Sequence, residues 1–277
     1  YRSQHRGGKG VKGVSNIEED YVSDIYVAST LDTFLFFSNH GKVFWRKVYQ
    51  LPLVGRTARG KAIVNLLELG EGESIAAILP ISSFKDESGN KTIMMVTKYG
   101  RIKKTSLQEF DRPLRKGKRA LTINEGDEII GAHLLEGDDT VFMISRDGMS
   151  IRFHESDVRT MGRMAAGVRG ITLKGDDYIV GAAILKEESE KTVMAVTENG
   201  YGKRSLAEDY RIQRRGGKGI FAIKKSDRNG PVVGAKVVDD DEELILIADS
   251  GKMIRMPLEN VRVIGRTTQG VRLINLE

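Results

Sequence analysis

The sequence contains no cysteine, which excludes a disulfide framework and any cysteine-ligated zinc or iron–sulfur site. Aromatic residues make up only 6% of the chain, so a large aromatic core around the single tryptophan, Trp45, is also excluded. No apolar run approaches the ~20 residues that a membrane-spanning helix needs, and no signal-peptide pattern opens the chain. We therefore expect a cytoplasmic protein that does not enter a membrane. The opening residues, Tyr1 to Ser3, include no methionine and suggest part of a longer protein.

Residue groupings typical of catalytic and metal sites are missing as well. No Ser/His/Asp or paired-carboxylate arrangement stands out, and the acidic run Asp239–Glu243 is more typical of a solvated loop than of a metal site. The turn at Asn199–Lys203 lacks the spacing of a phosphate-binding loop. The histidines are too far apart to share a metal, and we expect surface or turn positions for His5, His40, His133 and His154. The sequence therefore predicts neither a catalytic site nor a metal site.

Glycine is abundant where proline is scarce, with 31 glycines against 5 prolines in 277 residues. This share exceeds the usual ~7%, and because no glycine-rich linker is present it indicates many tight turns. The length fits about two domains of roughly 150 residues, or a single repeat domain.

Short apolar runs that end in turn-forming residues and a glycine recur about every 50 residues, as in repeat proteins. Each run leads through its turn into a second, basic run. The turn glycines are Gly41, Gly100, Gly148, Gly200 and Gly251. Asp-Gly and Asn-Gly supply the positive φ that a tight hairpin turn needs. The recurrence predicts five β-hairpins.

Two further elements recur with the hairpins. The first is a basic stretch around a glycine, with anchors at Gly8, Gly60, Gly117, Gly167, Gly217 and Gly270. The second is an apolar strand ahead of each hairpin, at Ile25–Ala28, Ile75–Leu79, Ile129–Ala132, Ile179–Ile184 and Val232–Val237. Three or four short strands in about 50 residues are typical of a β-propeller blade, whereas a parallel β-helix has much shorter repeats.

The sequence therefore predicts an all-β, six-bladed, propeller-like ring of ~50-residue blade repeats that forms one domain over residues 1–277. Five repeats are complete, and the sixth is represented by its glycine loop. That sixth blade requires the two chain ends, Arg2–Val14 and Val261–Leu276, to meet.

Charge is sorted by position within the repeat. Six basic loops contain half of the 44 lysines and arginines and none of the 38 acidic residues, so the rest of the chain is net negative. In chain order they are loop 1 (1–12), loop 2 (55–61), loop 3 (112–119), loop 4 (159–170), loop 5 (211–218) and loop 6 (262–272). Because equivalent loops of successive repeats lie on one rim, we expect a continuous positive band.

Such a band fits a polyanion, and arginine forks and lysine charges fit the phosphates of a duplex. Glycine lets backbone N–H groups approach phosphate, whereas few aromatics accompany the loops for stacking on single strands. The candidate contacts in loops 2, 3, 4 and 6 are Arg56, Arg59, Lys61, Arg115, Lys116, Lys118, Arg119, Arg163, Arg169, Arg266 and Arg272. The alternative from another functional class is a protein-interaction propeller whose basic loops are simply solvated.

Two heptads in these loops carry a family resemblance. Residues 213–219, Gln-Arg-Arg-Gly-Gly-Lys-Gly, match the seven-residue box in the C-terminal domain of the DNA gyrase A protein, and residues 4–10 match it except that His5 replaces an arginine. Similar surroundings occur at Val27–Thr30, Ala58–Lys61, Gly167–Gly170, Asn199–Arg204 and Gly265–Gly270. The resemblance covers essentially the whole chain, and the box is highly specific when it occurs with these repeats.

The resemblance implies a six-bladed β-pinwheel that wraps duplex DNA around its basic perimeter, without sequence specificity. Wrapping would support the introduction of negative supercoils by gyrase, an ATP-hydrolysing type II topoisomerase (an isomerase). The implied DNA-binding residues of the two heptads are Gln4, His5, Arg6, Gly7, Gly8, Lys9, Gly10, Gln213, Arg214, Arg215, Gly216, Gly217, Lys218 and Gly219.

The resemblance also implies the partners: duplex DNA, the N-terminal part of the same polypeptide, and the gyrase B protein in an A2B2 holoenzyme. ATP and Mg²⁺ would act elsewhere in that holoenzyme, so we expect no cofactor in this chain. Tyr1 is not the cleavage tyrosine, which the family carries in its N-terminal part. The implied location is the bacterial cytoplasm, in association with the nucleoid.

This sequence departs from the family pattern in one respect. The family box usually lies in the first blade, whereas here the unaltered heptad lies in the fifth repeat and the first carries His5. The nearest alternative is the equivalent domain of topoisomerase IV, which typically lacks the box and has fewer intact blades. The two heptads and six loops favour gyrase.

Overall fold

The computed structural model describes Gln4, Gly8, the backbone of Val11–Lys12, and residues 24–54, 60–186 and 189–276. Regular secondary structure in these residues consists of short β-strands and one-turn 3-10 helices, which confirms the all-β prediction. The strands are β1 (Val11–Lys12), β2 (Thr33–Ser38), β3 (Lys42–Lys47), β4 (Ile75–Ile81), β5 (Thr92–Thr97), β6 (Arg101–Ser106), β7 (Lys118–Arg119), β8 (Ile129–Leu135), β9 (Asp139–Ser145), β10 (Met149–His154), β11 (Val168–Arg169), β12 (Ile179–Lys186), β13 (Thr192–Thr197), β14 (Tyr201–Leu206), β15 (Ile220–Phe221), β16 (Val232–Val238), β17 (Glu243–Ile247), β18 (Lys252–Pro257) and β19 (Val271–Arg272). The 3-10 helices are Val48–Gln50, Ile63–Asn65, Leu107–Phe110, Glu155–Asp157, Ala207–Asp209 and Leu258–Asn260. Within the described ranges, no helix is long and apolar enough to cross a membrane.

Five β-hairpins form where the sequence predicts them, and we number them 1 to 5: β2–β3, β5–β6, β9–β10, β13–β14 and β17–β18. Every turn glycine has a positive φ, between 76° and 83°. A second constraint acts on Gly148, because a Cβ there would lie 2.4 Å from the carbonyl oxygen of Ile223. The Gly148 carbonyl accepts a hydrogen bond from the N–H of Ala222 at 2.8 Å. The hairpin turn is therefore also a docking point for the repeat that follows.

Neighbouring repeats exchange strands. In sheets 1 to 4 a hairpin occupies the middle, and both flanking strands come from later repeats along the chain. The strand orders are β4–β2–β3–β7 in sheet 1, β8–β5–β6–β11 in sheet 2, β12–β9–β10–β15 in sheet 3, β16–β13–β14–β19 in sheet 4, and β17–β18–β1 in the three-stranded sheet 5. We call β4, β8, β12 and β16 the inner strands, and β7, β11, β15, β19 and β1 the rim strands.

The inner strands lie side by side, because they contact one another in the order β4, β8, β12, β16. Hydrophobic cores fill the space between successive sheets. The first strands of hairpins 1 to 4 are buried on both faces. In sheet 1, Leu35 and Phe37 pack between sheets 1 and 2, whereas Phe34 and Phe36 pack on the other side of the sheet. Burial on both faces explains why these strands read as continuous apolar runs instead of an alternating pattern.

A polar side chain at one position of hairpins 1 to 4 joins each sheet to the next repeat. Each is the fourth residue in the second hairpin strand, and each donates to a backbone carbonyl at or next to the 3-10 helix of the next repeat. The pairs are Trp45 Nε1 to Phe110 O (2.8 Å), Lys104 Nζ to Glu155 O (3.2 Å), Arg152 Nη1 to Ala207 O (2.9 Å) and Arg204 Nε to Val261 O (2.8 Å). These bonds satisfy donors that would otherwise be costly to bury.

The chain ends meet, as the sequence predicts. The rim strand β1 pairs with β18 of hairpin 5, and the N–H of Asn275 donates to the carbonyl of Gly8 at 3.1 Å. However, the described residues form five sheets, and the N-terminal segment completes sheet 5 instead of building a separate blade.

The rim strands nevertheless follow the order of the basic loops. Sheets 1 to 4 take their rim strands from loops 3 to 6 in turn, with β15 directly after loop 5. Sheet 5 takes its rim strand from loop 1. Loop 1 therefore occupies the position that follows loop 6 in this series. In the described part of the chain, five hairpins are thus completed in turn by rim strands associated with loops 3, 4, 5, 6 and 1.

One predicted inner strand does not form. Residues 24–30, which include the predicted Ile25–Ala28, adopt no regular structure, and the Val27 side chain is 97% exposed. Each inner strand pairs with the hairpin of the preceding repeat, and the described residues contain no hairpin ahead of this segment. The segment therefore lacks the partner that its equivalents have.

His133 also differs from its predicted surface or turn position, because it lies within the inner strand β8. Burial and the positive charge of Lys236 lower the pKa of His133 to about 4, so its imidazole is neutral at pH 7. His40 lies exposed at the turn of hairpin 1, in agreement with the prediction, and His154 ends β10.

Candidate nucleic-acid interface

The basic loops lie on the perimeter because they carry the rim strands, at the sheet edges opposite the inner strands. Loops 1, 3, 4 and 6 contain β1, β7, β11 and β19, and loop 5 leads directly into β15. Of loop 2, the structure describes Gly60 and Lys61, whose predicted neighbours Arg56 and Arg59 lie outside the described residues.

The residues that follow each of loops 3 to 6 donate a backbone hydrogen bond to the next loop. The bonds run from Thr122 N to Ala165 O (3.3 Å), Thr172 N to Gly217 O (2.8 Å), Lys224 N to Thr268 O (3.1 Å) and Asn275 N to Gly8 O (3.1 Å). They join loops 3, 4, 5, 6 and 1 in that order. The predicted band of neighbouring basic loops is thus present over this part of the perimeter.

Gly8 of the first heptad and the second heptad, more than half the chain apart in sequence, lie on either side of loop 6. Loop 5 holds residues 213–218 of the second heptad, and Gly8 of the first heptad is bonded to Asn275, just after loop 6. The remaining members of the first heptad, apart from Gln4, lie outside the described residues: His5, Arg6, Gly7, Lys9 and Gly10.

In the second heptad the structural glycine is Gly219, and the sequence-based choice of Gly217 as the repeat anchor is wrong. A glycine with positive φ directly precedes four rim strands, at Gly117, Gly167, Gly219 and Gly270. Gly219 has φ 75°, and a Cβ on it would lie 2.3 Å from the carbonyl oxygen of Ser150. Gly217 lies two residues earlier, where the nearest atom to an added Cβ is 3.4 Å away. Because the heptad contains three glycines, its sequence alone does not show which of them directly precedes the rim strand.

Several of the predicted loop cations project from the perimeter. They are at least partly exposed, and their side chains make no hydrogen bond or ion pair with any other described residue: Lys61, Lys116, Arg119, Arg169, Arg214 and Lys218. Two of them, Arg214 and Lys218, flank Gly216 and Gly217 of the heptad, while Gln213 is half-buried at its start. Unpaired cations beside an accessible glycine backbone are suited to binding phosphate oxygens.

The other predicted cations are engaged with the protein. Arg115 pairs with Glu68 at 2.5 Å on the surface, where an ion pair contributes little. Lys118 lies over the Trp45 ring, with 5.6 Å from Nζ to the ring centroid, and Arg272 Nη2 donates to the Tyr201 hydroxyl at 3.1 Å. The remaining three donate to backbone carbonyls of neighbouring loops: Arg163, Arg215 and Arg266.

Two buried lysines under the loops were not predicted from the sequence. Lys103 Nζ donates to the carbonyls of Ala120 and Arg163, both at 2.6 Å, and Lys203 Nζ donates to the carbonyl of Gly265 at 2.8 Å. Burial, reinforced by Arg163, lowers the pKa of Lys103 to about 8, and burial with Arg266 lowers the pKa of Lys203 to about 7. In the sequence, each of them is a lysine at the central position of a strand. Because it resembles an ordinary basic strand residue, its burial is not predicted.

We expect Lys203 to make the stability of the protein depend on pH. Its folded-state pKa of about 7 lies below the ordinary value of 10.5, so between these values the unfolded chain binds the extra proton and stability rises with pH. The rise is at most about 1.4 kcal/mol per pH unit for one proton. Urea denaturation of the wild type and of Lys203→Met at several pH values measures the difference, and parallel pH profiles would contradict the expectation.

No group of three or more acidic or histidine side chains is placed to hold a metal ion within the residues that the structure describes. The acidic run Asp239–Glu243 forms the end of a loop and the start of β17, and Asp239 and Asp240 pair with Lys191 and Arg204.

Comparisons with known proteins agree with the repeats. A family model described as DNA gyrase C-terminal domain, beta-propeller, matches residues 1–29, 32–82, 91–136, 139–186, 191–239 and 242–277. The DNA gyrase A protein of Salmonella typhimurium is 46% identical over 274 residues, which are 99% of this chain and 31% of that protein. The DNA gyrase A protein of Escherichia coli is 44% identical over the same shares of the two chains. The chain thus spans about a third of the length of these relatives.

Solved structures show the same architecture. A structure of the DNA gyrase A C-terminal domain superposes with a TM-score of 0.84 and 26% identity, over 100% of this chain and 89% of that one. The C-terminal domain of DNA topoisomerase IV gives a TM-score of 0.78 at 24% identity, over 89% and 76%, and so shares the fold. With its repeats matched along their length and its strands exchanged around a basic perimeter, this chain belongs to the family of DNA gyrase C-terminal domains.

Proposed function

We propose that this chain binds duplex DNA without sequence preference and wraps it around its perimeter. The observation that carries the proposal is the succession of basic loops 3, 4, 5, 6 and 1, in which the residues after each loop donate a backbone hydrogen bond to the next loop. The exposed cations of loops 3, 4 and 5 follow one another along the perimeter, where they can meet the successive phosphates of a bent duplex.

Bending sets the number of loops that must take part. Smoothly bending a 20–30 bp duplex costs about 1–6 kcal/mol, so contacts from several loops must offset the bend. Phosphate contacts carry no direct sequence information. A wrapping surface built from them accepts any duplex of sufficient length.

In the whole protein, we propose, this wrapping supports the introduction of negative supercoils by an ATP-dependent gyrase. The partners would be duplex DNA, the remainder of the same polypeptide, and a second kind of chain, the gyrase B protein, in an A2B2 assembly. ATP and Mg²⁺ would be used by those other parts and no cofactor by this chain. The setting would be the bacterial nucleoid in the cytoplasm.

Ligation of nicked circular DNA in the presence of the protein tests wrapping. We expect the linking number of the closed circles to shift in one direction, and the shift to grow with the ratio of protein to DNA, because a wrapped path traps writhe. The products are resolved by gel electrophoresis after removal of the protein. Binding without any shift would contradict wrapping, and the absence of binding would favour a protein-interaction scaffold.

A matched pair of variants tests whether the loops are responsible. Lys218→Gln removes a charge from loop 5, whereas Lys85→Gln removes a charge between β4 and β5, away from the basic loops. We expect the first to constrain fewer supercoils than the second. Equal effects would indicate that net charge, and not the loops, drives binding.

A further inference from the structure

Three perimeter arginines occupy the same place in successive repeats. Arg163, Arg215 and Arg266 each lie four residues before the positive-φ glycine of their rim strand. In each case Nη1 donates to the backbone carbonyl of the second residue of the preceding rim strand. The acceptors are Arg119 O (3.2 Å), Arg169 O (2.5 Å) and Phe221 O (2.6 Å).

Two of these arginines make a second contact with the same preceding repeat. Arg163 Nε donates to Glu109 Oε2 at 3.2 Å, and Arg215 Nε donates to Asp157 O at 3.1 Å. Both acceptors belong to the 3-10 helix that follows the hairpin of the preceding repeat. The guanidinium therefore spans the junction between one loop and the next, holding a rim strand and a helix at once.

We infer that Arg163, Arg215 and Arg266 are positioning residues that couple neighbouring loops, and that they do not act as phosphate contacts. Within the second heptad this gives adjacent arginines different roles: Arg214 is exposed and unpaired, whereas Arg215 is half-buried and bonded to the preceding repeat. The planar fork of arginine can serve two acceptors at fixed angles, which the ammonium of lysine cannot reproduce.

The coupling has a consequence for wrapping, which rests on the proposed function. Loops held at fixed separations present their cations at fixed separations, so a duplex bound at one loop meets the next without further ordering of the protein. Such preorganisation lowers the cost of each additional contact. The coupling arginines thus act on the cooperation between loops, and the exposed cations act on each local contact.

Hydrogen exchange in the DNA-free protein tests the coupling directly. The reporters are the N–H groups of Gly216 and Thr172, which donate across the junction to Gly170 O at 2.7 Å and Gly217 O at 2.8 Å. We expect Arg215→Lys to speed their exchange about tenfold, since hydrogen bonds that fix the junction are lost. The charge-matched Arg214→Lys should leave both rates unchanged. Equal rates in the two variants would overturn the inference, whatever happens with DNA.

DNA binding supplies the second measurement, with circular dichroism to confirm that each variant is folded. On a short duplex that covers one loop, Arg214→Gln should reduce the salt slope of log K by about 0.9, while Arg215→Lys should retain the wild-type slope. On nicked circles, Arg215→Lys should constrain fewer supercoils.

If Arg215→Gln lowers the slope as Arg214→Gln does and leaves exchange at Gly216 unchanged, Arg215 is a phosphate contact and the inference fails. If the wild type does not bind DNA, the proposed function fails and the exchange rates still decide the coupling.

Discussion

Raising the salt concentration from 50 to 200 mM is expected to weaken the binding of duplex DNA by about a thousandfold or more. Neutralising a phosphate with lysine or arginine releases condensed counterions, so log K falls with log salt by about 0.9 per phosphate contacted. The unpaired cations of the loops, among them Arg119, Arg169, Arg214 and Lys218, can contact about six phosphates, which gives a change of that size.

Fluorescence anisotropy with labelled duplexes at a series of salt concentrations measures this slope. Two duplexes of equal length and bendability but different sequence serve as the control, and we expect them to bind equally. A slope corresponding to only about two phosphates, or a strong preference for one sequence, would contradict a phosphate-binding perimeter.

Gly219→Val is expected to destabilise the protein far more than Gly217→Val. At Gly219 the valine must adopt φ 75°, and its Cβ would meet the carbonyl oxygen of Ser150 at 2.3 Å and the carbonyl carbon at 2.9 Å. The backbone conformation alone costs about 1–3 kcal/mol for a residue other than glycine, and the clash forces apart Ser150 and its partner Ile220 in the pairing of β10 with β15. The combined loss should be about 3 kcal/mol or more.

Gly217→Val is the matched control, in the same heptad and with the same side chain. Among the described residues, the atom nearest to a Cβ at this position is 3.4 Å away, so we expect a change within about 0.5 kcal/mol. Thermal unfolding followed by circular dichroism compares the two variants, and a loss of about 3 kcal/mol corresponds to several degrees in Tm for a protein of this size. Equal losses would show that the register assigned to the rim strands is wrong.

Sequence alone predicts the architecture because its signals are local and repeated. The five turn glycines adopt the positive φ of a tight hairpin turn, two of them in the Asp-Gly and Asn-Gly patterns of Gly148 and Gly200, and the apolar runs that precede them form the central strands. The heptads identify the family, which the full-length match confirms. The loops that concentrate the positive charge in the sequence also lie next to one another on the perimeter of the structure.

What the sequence does not predict depends on contacts between repeats. The pairing of hairpins 1 to 4 with strands of later repeats cannot be recognised in the local sequence. Ile25–Ala28 therefore resembles its strand-forming equivalents, although the described residues hold no partner hairpin for it. For the same reason Arg214 and Arg215 look alike in sequence. Their difference arises from a carbonyl, that of Arg169, which the preceding repeat places beside only one of them.

Strand exchange between repeats also limits how the number of repeats in such a domain can change. A hairpin of sheets 1 to 4 becomes a full sheet only when later repeats supply both of its edges, so no single repeat is a module that could fold by itself or be transplanted intact. If one repeat is removed, the two repeats that flanked it must pair with each other's strands. Such a loss is tolerated only if the edge strands of different repeats are alike. The inner strands meet this requirement: in sheets 1 to 4 each pairs antiparallel with the first hairpin strand, with an irregularity at the same end. Variation in blade number therefore demands edges that remain alike, while the loops between them are free to diverge in charge.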